Sequence, residues 1–370
     1  MIQGKQSFMS SITRAEAYLV DLPVEAVRTD ATQAFLKQET IFVEITTDDG
    51  GTGTGYSYTI GTGGTAVLAL LRDYLLPRLP GSDARRTEAI WTDLFRSTRA
   101  TTVGAITSLA LAAVDTAIWD LNSKAAGLPL AVAAGGAQER VPVYDTEVGW
   151  LHLSVAELVE GAKAAVAAGR KGVKVKIGKP DPAEDVERLA AVRAALGTGV
   201  DLMVDANQAF TVADAARRAR LLEPVDLYWL EEPLPADDLT GHVRLARSTT
   251  VPIAVGESLY SIGQFAQYLT HGAAGLVQVD AARIGGITPW LKVAHLAEAH
   301  NVSVCPHFLM ELHVSLCAAV PNGRYVEYIP QLSAITRSGI SLEDGCAIAP
   351  SEPGLGIDWD DDAIDNLRVS

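Results

Sequence analysis

Cysteine is scarce in this 370-residue chain, which holds only Cys305, Cys317 and Cys346. An odd number, at spacings that match neither a disulfide framework nor a metal site, leaves them as reduced structural thiols. Basic residues are also few, 30 against 45 acidic ones, for a net charge of −15. Nucleic acid and anionic membrane both need basic surface, so neither is an expected partner. An anionic substrate would have to be met by local positive charge. Long apolar runs are missing too. The uncharged stretches Gly50 to Leu71 and Ser258 to Val279 are broken by Gly, Ser and Thr, and the more apolar Ala100 to Val114 is too short to cross a bilayer. Met1 to Ser11 carries Lys5 but no apolar core, which does not read as a secretory signal, so the cytoplasm is the expected compartment.

What is present is a globular composition, 48% apolar and 20% charged. The length predicts one barrel plus an accessory domain. Residues 12–20 and 41–47 alternate like strands, and Asp49-Gly50-Gly51 after the second suggests a hairpin. Pro23 to Gln38 reads as a loop. Gly53 to Thr59 and the bend from Gly61 to Gly64 lack a phosphate-loop signature and read as a mobile loop whose tyrosines face a ligand. Helical patterns follow near 65–79, 85–97 and 104–126, with Gly127 suited to cap the last. Strands followed by helices indicate a small α+β domain over residues 1–135.

From Val141 the rhythm changes. Short apolar strands at 141–148, 172–177, 201–207, 227–233, 251–257, 275–280, 302–307 and 324–328 alternate with helical patterns. This predicts a β/α barrel over 136–345, and residues 346–370 are expected to return to the N-terminal domain.

Three of these strands end in a carboxylate, Asp205, Glu231 and Glu257, each 26 residues from the next. Strand C-termini converge on one mouth of a barrel. Three acids gathered there repel one another unless a cation joins them, and oxygen-only ligands favour Mg²⁺ or Mn²⁺ over zinc. Asn207 shares a strand face with Asp205 and is a candidate further contact. On the second strand Lys174 and Lys176 alternate and so both point inward. Crowded by another cation and a metal, one of them is expected to have a lowered pKa and to serve as a base. The sixth strand ends in Asp280 and the seventh in His307, a pairing that would fix the imidazole tautomer. His152 follows the first strand, within reach of a substrate; His313 falls inside a predicted helix. Glu327 on the eighth strand, if buried near a metal, is expected to stay protonated and donate a hydrogen bond.

Taken together, Lys174-Val-Lys176, Asp205, Glu231, Glu257, the Asp280 and His307 pair and Glu327 resemble the mandelate racemase subgroup of the enolase superfamily across nearly the whole chain. The resemblance implies an α+β cap on a modified (β/α)₇β barrel of the TIM type. It also makes Glu231, rather than Glu232, the ligand. It implies Mg²⁺-assisted removal of the proton next to a carboxylate, with Lys174 adding positive charge and Lys176 and His307 flanking the carbon. Enolase-superfamily sites of this kind are a worked case of base and Mg²⁺ chemistry.

The outcome is expected to be dehydration of an acid sugar, an aldonate or aldarate, to a 2-keto-3-deoxy acid. The first loop is polar, with Arg28, Thr29, Asp30, Thr32 and Gln33, and Tyr56 and Tyr58 open the second. The runs Ala281 to Thr288, with Arg283, and Pro306 to His313 resemble dehydratases of six-carbon diacids and cycloisomerases of an anhydro sugar acid. A cycloisomerase, then a racemase or epimerase, are the alternatives, with a non-catalytic metal-binding scaffold the remote one. Arg28, Tyr56, Tyr58, His152 and Arg283 are the candidate substrate contacts. Relatives suggest a homo-oligomer, a dimer or octamer.

Overall fold

Alternating apolar and polar residues near the N-terminus form the first sheet of the computed structural model, which describes residues 10–24, 26–101 and 104–369. The reading of Met1 to Ser11 as lacking a signal falls almost entirely outside these residues. Strands β1 (Ile12–Leu22), β2 (Gln38–Thr47) and β3 (Thr52–Thr59) lie antiparallel in that order. Thr47 N donates to Gly51 O at 2.9 Å, closing the expected turn.

The stretch from Gly53, expected to be a mobile loop, is instead β3, packed hard on a helix. A Cβ on Gly55 would meet Ala113 O at 2.2 Å, and one on Gly53 would meet Ala117 O at 2.2 Å. Those glycines serve close approach, not flexibility.

Helix α1 (Gly64–Leu70) opens a helical stretch that runs to residue 78 as expected, with a change of type. It widens into a π-turn over Leu71–Leu75 and tightens to 3₁₀ at Leu76–Arg78, where Pro77 has no N–H to give. Helices α2 (Thr87–Ser97), α3 (Ala105–Ala126) and α4 (Leu130–Ala133) complete the cap. Gly127, at φ 65°, ends α3 as its position in the sequence suggested.

The barrel then alternates strand and helix: β4 (Arg140–Asp145), α5 (Val155–Ala167), β5 (Gly172–Lys176), α6 (Pro182–Leu196), β6 (Asp201–Asp205), α7 (Val212–Leu222), β7 (Trp229–Glu231) and α8 (Leu239–Ala246). It continues through β8 (Ile253–Val255), α9 (Ile262–Thr270), β9 (Leu276–Val277), α10 (Ala281–Ile284), α11 (Ile287–Ala299), β10 (Ser303–Val304), α12 (Met310–Ala319) and β11 (Val326–Tyr328). Local signals set the helix starts. Ser154 and Glu157 form a capping box on α5, Ser261 and Gln264 another on α9, and Asp181 caps α6 ahead of Pro182.

β4 to β10 pair in parallel and in chain order, and β11 pairs in parallel with β4. The remaining gap is bridged where Val304 N donates to Asn322 O (2.9 Å) and Val304 O accepts from Arg324 N (2.8 Å). The ladders are shorter than the apolar runs. Glu257, Asp280 and His307 lie past the last paired residues, which frees them to line the mouth. Beneath them Tyr144, Met203, Trp229, Ala254, Leu276, Cys305 and Tyr325 fill the interior.

Residues after 345 reach the cap by way of the barrel. β12 (Ser341–Glu343) and β13 (Cys346–Ile348) form a hairpin, and β13 pairs with β4. Trp359 then packs edge-on against Phe42 and Tyr56 in the cap sheet, and after α13 (Asp361–Leu367) Val369 N donates to Leu19 O. Cap and barrel also meet at Asp115 of α3, which accepts from Thr288 N (2.8 Å) and Oγ1 (2.7 Å). Among the described residues no helix is long and apolar enough to cross a membrane.

Candidate active site

Alternation on β5 turns Lys174 and Lys176 inward, and both are buried against carboxylates from the strands that follow. Lys174 Nζ lies 3.0 Å from Glu231 Oε1 and 2.8 Å from Glu327 Oε1; Lys176 Nζ reaches Asp205 Oδ2. Asp205, Glu231 and Glu257 each offer an oxygen within 4.8 Å of the others. All three are buried, Asp205 and Glu231 wholly so. Burial and the nearby Asp205 push Glu231 up to about 7, against the pull of Lys174. That is the cost of crowding acids in a dry site, and a cation among them would relieve it.

The donor set fits a hard divalent cation, being all oxygen. Asn207 adds to the fit. Its N–H donates to Asp205 Oδ1 (2.8 Å), and its side-chain oxygen is buried without a protein partner beside the row.

The second half of the site is built on the ends of β9 and β10. Asp280 caps α10, its Oδ1 accepting from Ala282 N and Arg283 N, and its Oδ2 accepts from His307 Nδ1 at 2.9 Å. Because a carboxylate only accepts, Nδ1 carries the proton and Nε2 faces Glu257 Oε2 at 3.2 Å. Burial would raise Asp280, but His307 and Arg283 bring it down to about 2. Burial would lower His307, but Glu257 and Asp280 together raise it.

Tyr58 reaches this pair from β3 of the cap. Its hydroxyl donates to Asp280 Oδ2 (2.7 Å) and accepts from Arg283 Nε (3.2 Å), while its ring stacks on Phe308 with centroids 4.4 Å apart. Arg283 also donates to Glu257 Oε1 at 3.2 Å.

Ten of the residues singled out in the sequence therefore meet at one mouth: Lys174, Lys176, Asp205, Asn207, Glu231, Glu257, Asp280, His307, Glu327 and Arg283, with Tyr58 above them. Three do not join them. Tyr56 lies in the cap core, 1% exposed, between Phe42 and Trp359, and faces no ligand. Arg28 is taken up by Glu147 (2.8 Å), Pro330 O and Gln331, a clasp between first loop and barrel. His152 stands on the same seam, exposed, its Nδ1 2.8 Å from Thr29 Oγ1.

The protein's own charges act against two of the electrostatic expectations. Burial pulls both lysines down, as expected, but Glu231 and Glu327 around Lys174, and Asp205 at Lys176, pull them up, and a cation on those same acids would oppose that pull. For Glu327, burial favours the protonated form, while Lys174 and His307 pull its carboxyl below the usual range. It accepts rather than donates: Thr146 Oγ1 donates to Oε1 (2.6 Å) and Phe308 N to Oε2 (2.8 Å).

Thr146 and Trp150, whose ring centre lies 5.5 Å from Lys176 Nζ, were not singled out in the sequence. Their position just after the first barrel strand was the available signal.

Comparison with known proteins agrees with this geometry. Residues 14–135 match the mandelate racemase / muconate lactonizing enzyme N-terminal domain, and residues 157–363 match the enolase C-terminal domain-like model. The chain is 39% identical to a 3,6-anhydro-alpha-L-galactonate cycloisomerase of Streptomyces coelicolor, covering 96% of this chain and 98% of that one. It is 37% identical to the L-talarate/galactarate dehydratase of Salmonella typhimurium, over 85% of this chain and 79% of the relative. The crystal structure of that dehydratase liganded with Mg and L-lyxarohydroxamate superposes with a TM-score of 0.95 at 33% identity, covering 100% of this chain and 96% of the other. With both halves matched and the acid row, lysine pair and aspartate–histidine pair in one mouth, the chain belongs to the mandelate racemase / muconate lactonizing enzyme family of the enolase superfamily.

Proposed function

We propose that this protein removes the proton next to the carboxylate of an acid sugar and expels the β-hydroxyl, giving a 2-keto-3-deoxy acid. The observation that carries this reading is the placement of two proton-transfer groups at opposite ends of one carboxylate row. Lys176 sits at the Asp205 end and His307 at the Glu257 end.

Asp205, Glu231 and Glu257 would hold the divalent cation, Mg²⁺ by preference with Mn²⁺ a substitute, and Asn207 would lie beside it. A cation bound there lowers the cost of negative charge building on a substrate's carboxylate oxygens. Lys174 supplies further positive charge at the same place, held in position by Glu231 and Glu327. Lys176 and His307 can each take or return a proton. Asp280 keeps the proton on His307 Nδ1, so that Nε2 is the atom that exchanges one. For dehydration one of them removes the α-proton and His307 protonates the leaving hydroxyl. Arg283 and the Tyr58 hydroxyl border this end of the site, a polar surface suited to a polyhydroxylated acid.

The Streptomyces coelicolor relative, matched over 96% of this chain, favours a second reading, cycloisomerisation, in which an internal ring oxygen leaves in place of a free hydroxyl. Proton NMR of the Mg²⁺-loaded protein in D₂O, with aldonates, aldarates, their lactones and anhydro sugar acids, separates the two. A 2-keto-3-deoxy product from an open-chain acid is expected. Product from the anhydro acid alone would transfer the assignment to the isomerase, and deuterium uptake without elimination would make it a racemase or epimerase.

A further inference from the structure

His313 lies on α12, 0% exposed, and touches none of the carboxylates of the row. Its two ring nitrogens nevertheless engage the backbone directly behind the aspartate–histidine pair. Ala281 N lies 3.1 Å from Nε2, and Phe308 O lies 2.9 Å from Nδ1. A backbone N–H can only donate, so Nε2 is the acceptor and the ring proton is on Nδ1, which donates to Phe308 O. Ala281 follows Asp280, and Phe308 follows His307. The imidazole therefore forms a second rung beneath the 2.9 Å hydrogen bond between Asp280 and His307.

That rung sits where the backbone most needs one. Phe308 and Leu309 have φ of 60° and 33°, in the left-handed region that non-glycine residues adopt only when their surroundings hold them there. Trp290 braces the other side. It stacks on the His313 ring at 6.3 Å and donates from Nε1 to Val279 O at 3.0 Å. Burial also favours the neutral ring that this pattern requires.

We propose that His313 is a positioning residue that sets the spacing and orientation of His307 against Asp280 by bridging Ala281 and Phe308. This rests on the reading of His307 as a working acid or base.

The first test is independent of turnover. ¹⁵N NMR of the histidine-labelled full chain should show His313 as the Nδ1–H tautomer throughout the neutral range; an Nε2–H or doubly protonated ring overturns the bridge. The second compares His313→Phe, which removes both hydrogen bonds, with His313→Gln, whose amide keeps a donor and an acceptor. The Phe variant should lose about 10- to 100-fold in kcat with KM little changed, as outer-shell partners of working histidines do, and the Gln variant should recover most of that. Deuterium exchange should fall for substrates whose α-proton faces His307 and persist for those facing Lys176. Equal loss on both faces, or full kcat in the folded Phe variant, overturns the proposal. If the wild type turns over no sugar acid, it is the functional reading that fails, and the tautomer still decides the bridge. If the Phe variant does not fold, the Gln variant and the tautomer decide.

Discussion

Tyr58 donates its hydroxyl to Asp280, at 2.7 Å, on the same carboxylate oxygen that accepts from His307 at 2.9 Å. A residue of the cap sheet thus completes a hydrogen-bonded pair that belongs to the barrel. Tyr58→Phe keeps the ring on Phe308 and removes this donor together with the acceptor for Arg283 Nε. Loss of an outer partner of a working histidine costs about 10- to 100-fold, so kcat should fall by about that factor. Steady-state kinetics checks this, and an unchanged kcat would make the hydroxyl a spectator.

Lys176→Ala should abolish turnover of any acid sugar found to be a substrate, a loss of about 10²–10⁴-fold for a proton-transfer group. Mg²⁺ binding, read by calorimetry, should largely persist, because Asp205, Glu231 and Glu257 remain. A variant that turns over normally would remove Lys176 from the mechanism.

Glu231→Gln should weaken Mg²⁺ affinity, since it takes one charged oxygen donor from a group of three. Chelation should silence the wild type and added Mg²⁺ or Mn²⁺ should restore it. Unchanged calorimetric affinity in the variant would sink the ligand assignment.

Glu311 gives a prediction about stability. It is buried, one of its carboxylate oxygens has no partner, and burial pushes it up to about 7. A folded value above the unfolded one, about 4.3, means the stabilising contribution is complete below that lower value. It is lost as pH rises towards the upper one, at roughly 1.4 kcal/mol per pH unit. Denaturant melts of wild type and Glu311→Gln should therefore diverge in favour of the variant between about pH 5 and pH 7. Parallel curves would show that the acid is already solvated.

Much of this site could be read from spacing alone. Period-two alternation placed Lys174 and Lys176 on one face, and a repeat of strand-end acids picked out Asp205, Glu231 and Glu257. What could not be read was anything set by a partner from a distant element. Alternation puts Tyr56 and Tyr58 on the same face of β3, yet Trp359 from the far end of the chain covers one, while Asp280 meets the other. Arg28 looked free until Glu147 was placed beside it. The charge of Glu327 depends on Lys174 Nζ lying 2.8 Å away, which no local pattern encodes. Gly53 and Gly55 read as flexibility because the helix that requires them is a separate stretch of chain.

Lys174 has a second consequence, for how the ring stays shut. The barrel closes between β10 and β11 through contacts around Val304 alone among the described ladders, its thinnest seam. Glu327 stands on that last strand, and it is gripped by Lys174 from β5, Thr146 after β4 and the Phe308 amide after β10. The Phe308 amide crosses the seam, while Lys174 and Thr146 tie the closing strand to β5 and the end of β4. Lesions at Lys174 or Glu327 should loosen the closing stave of the barrel along with any chemistry, so their losses of activity can be interpreted only beside a measurement of foldedness.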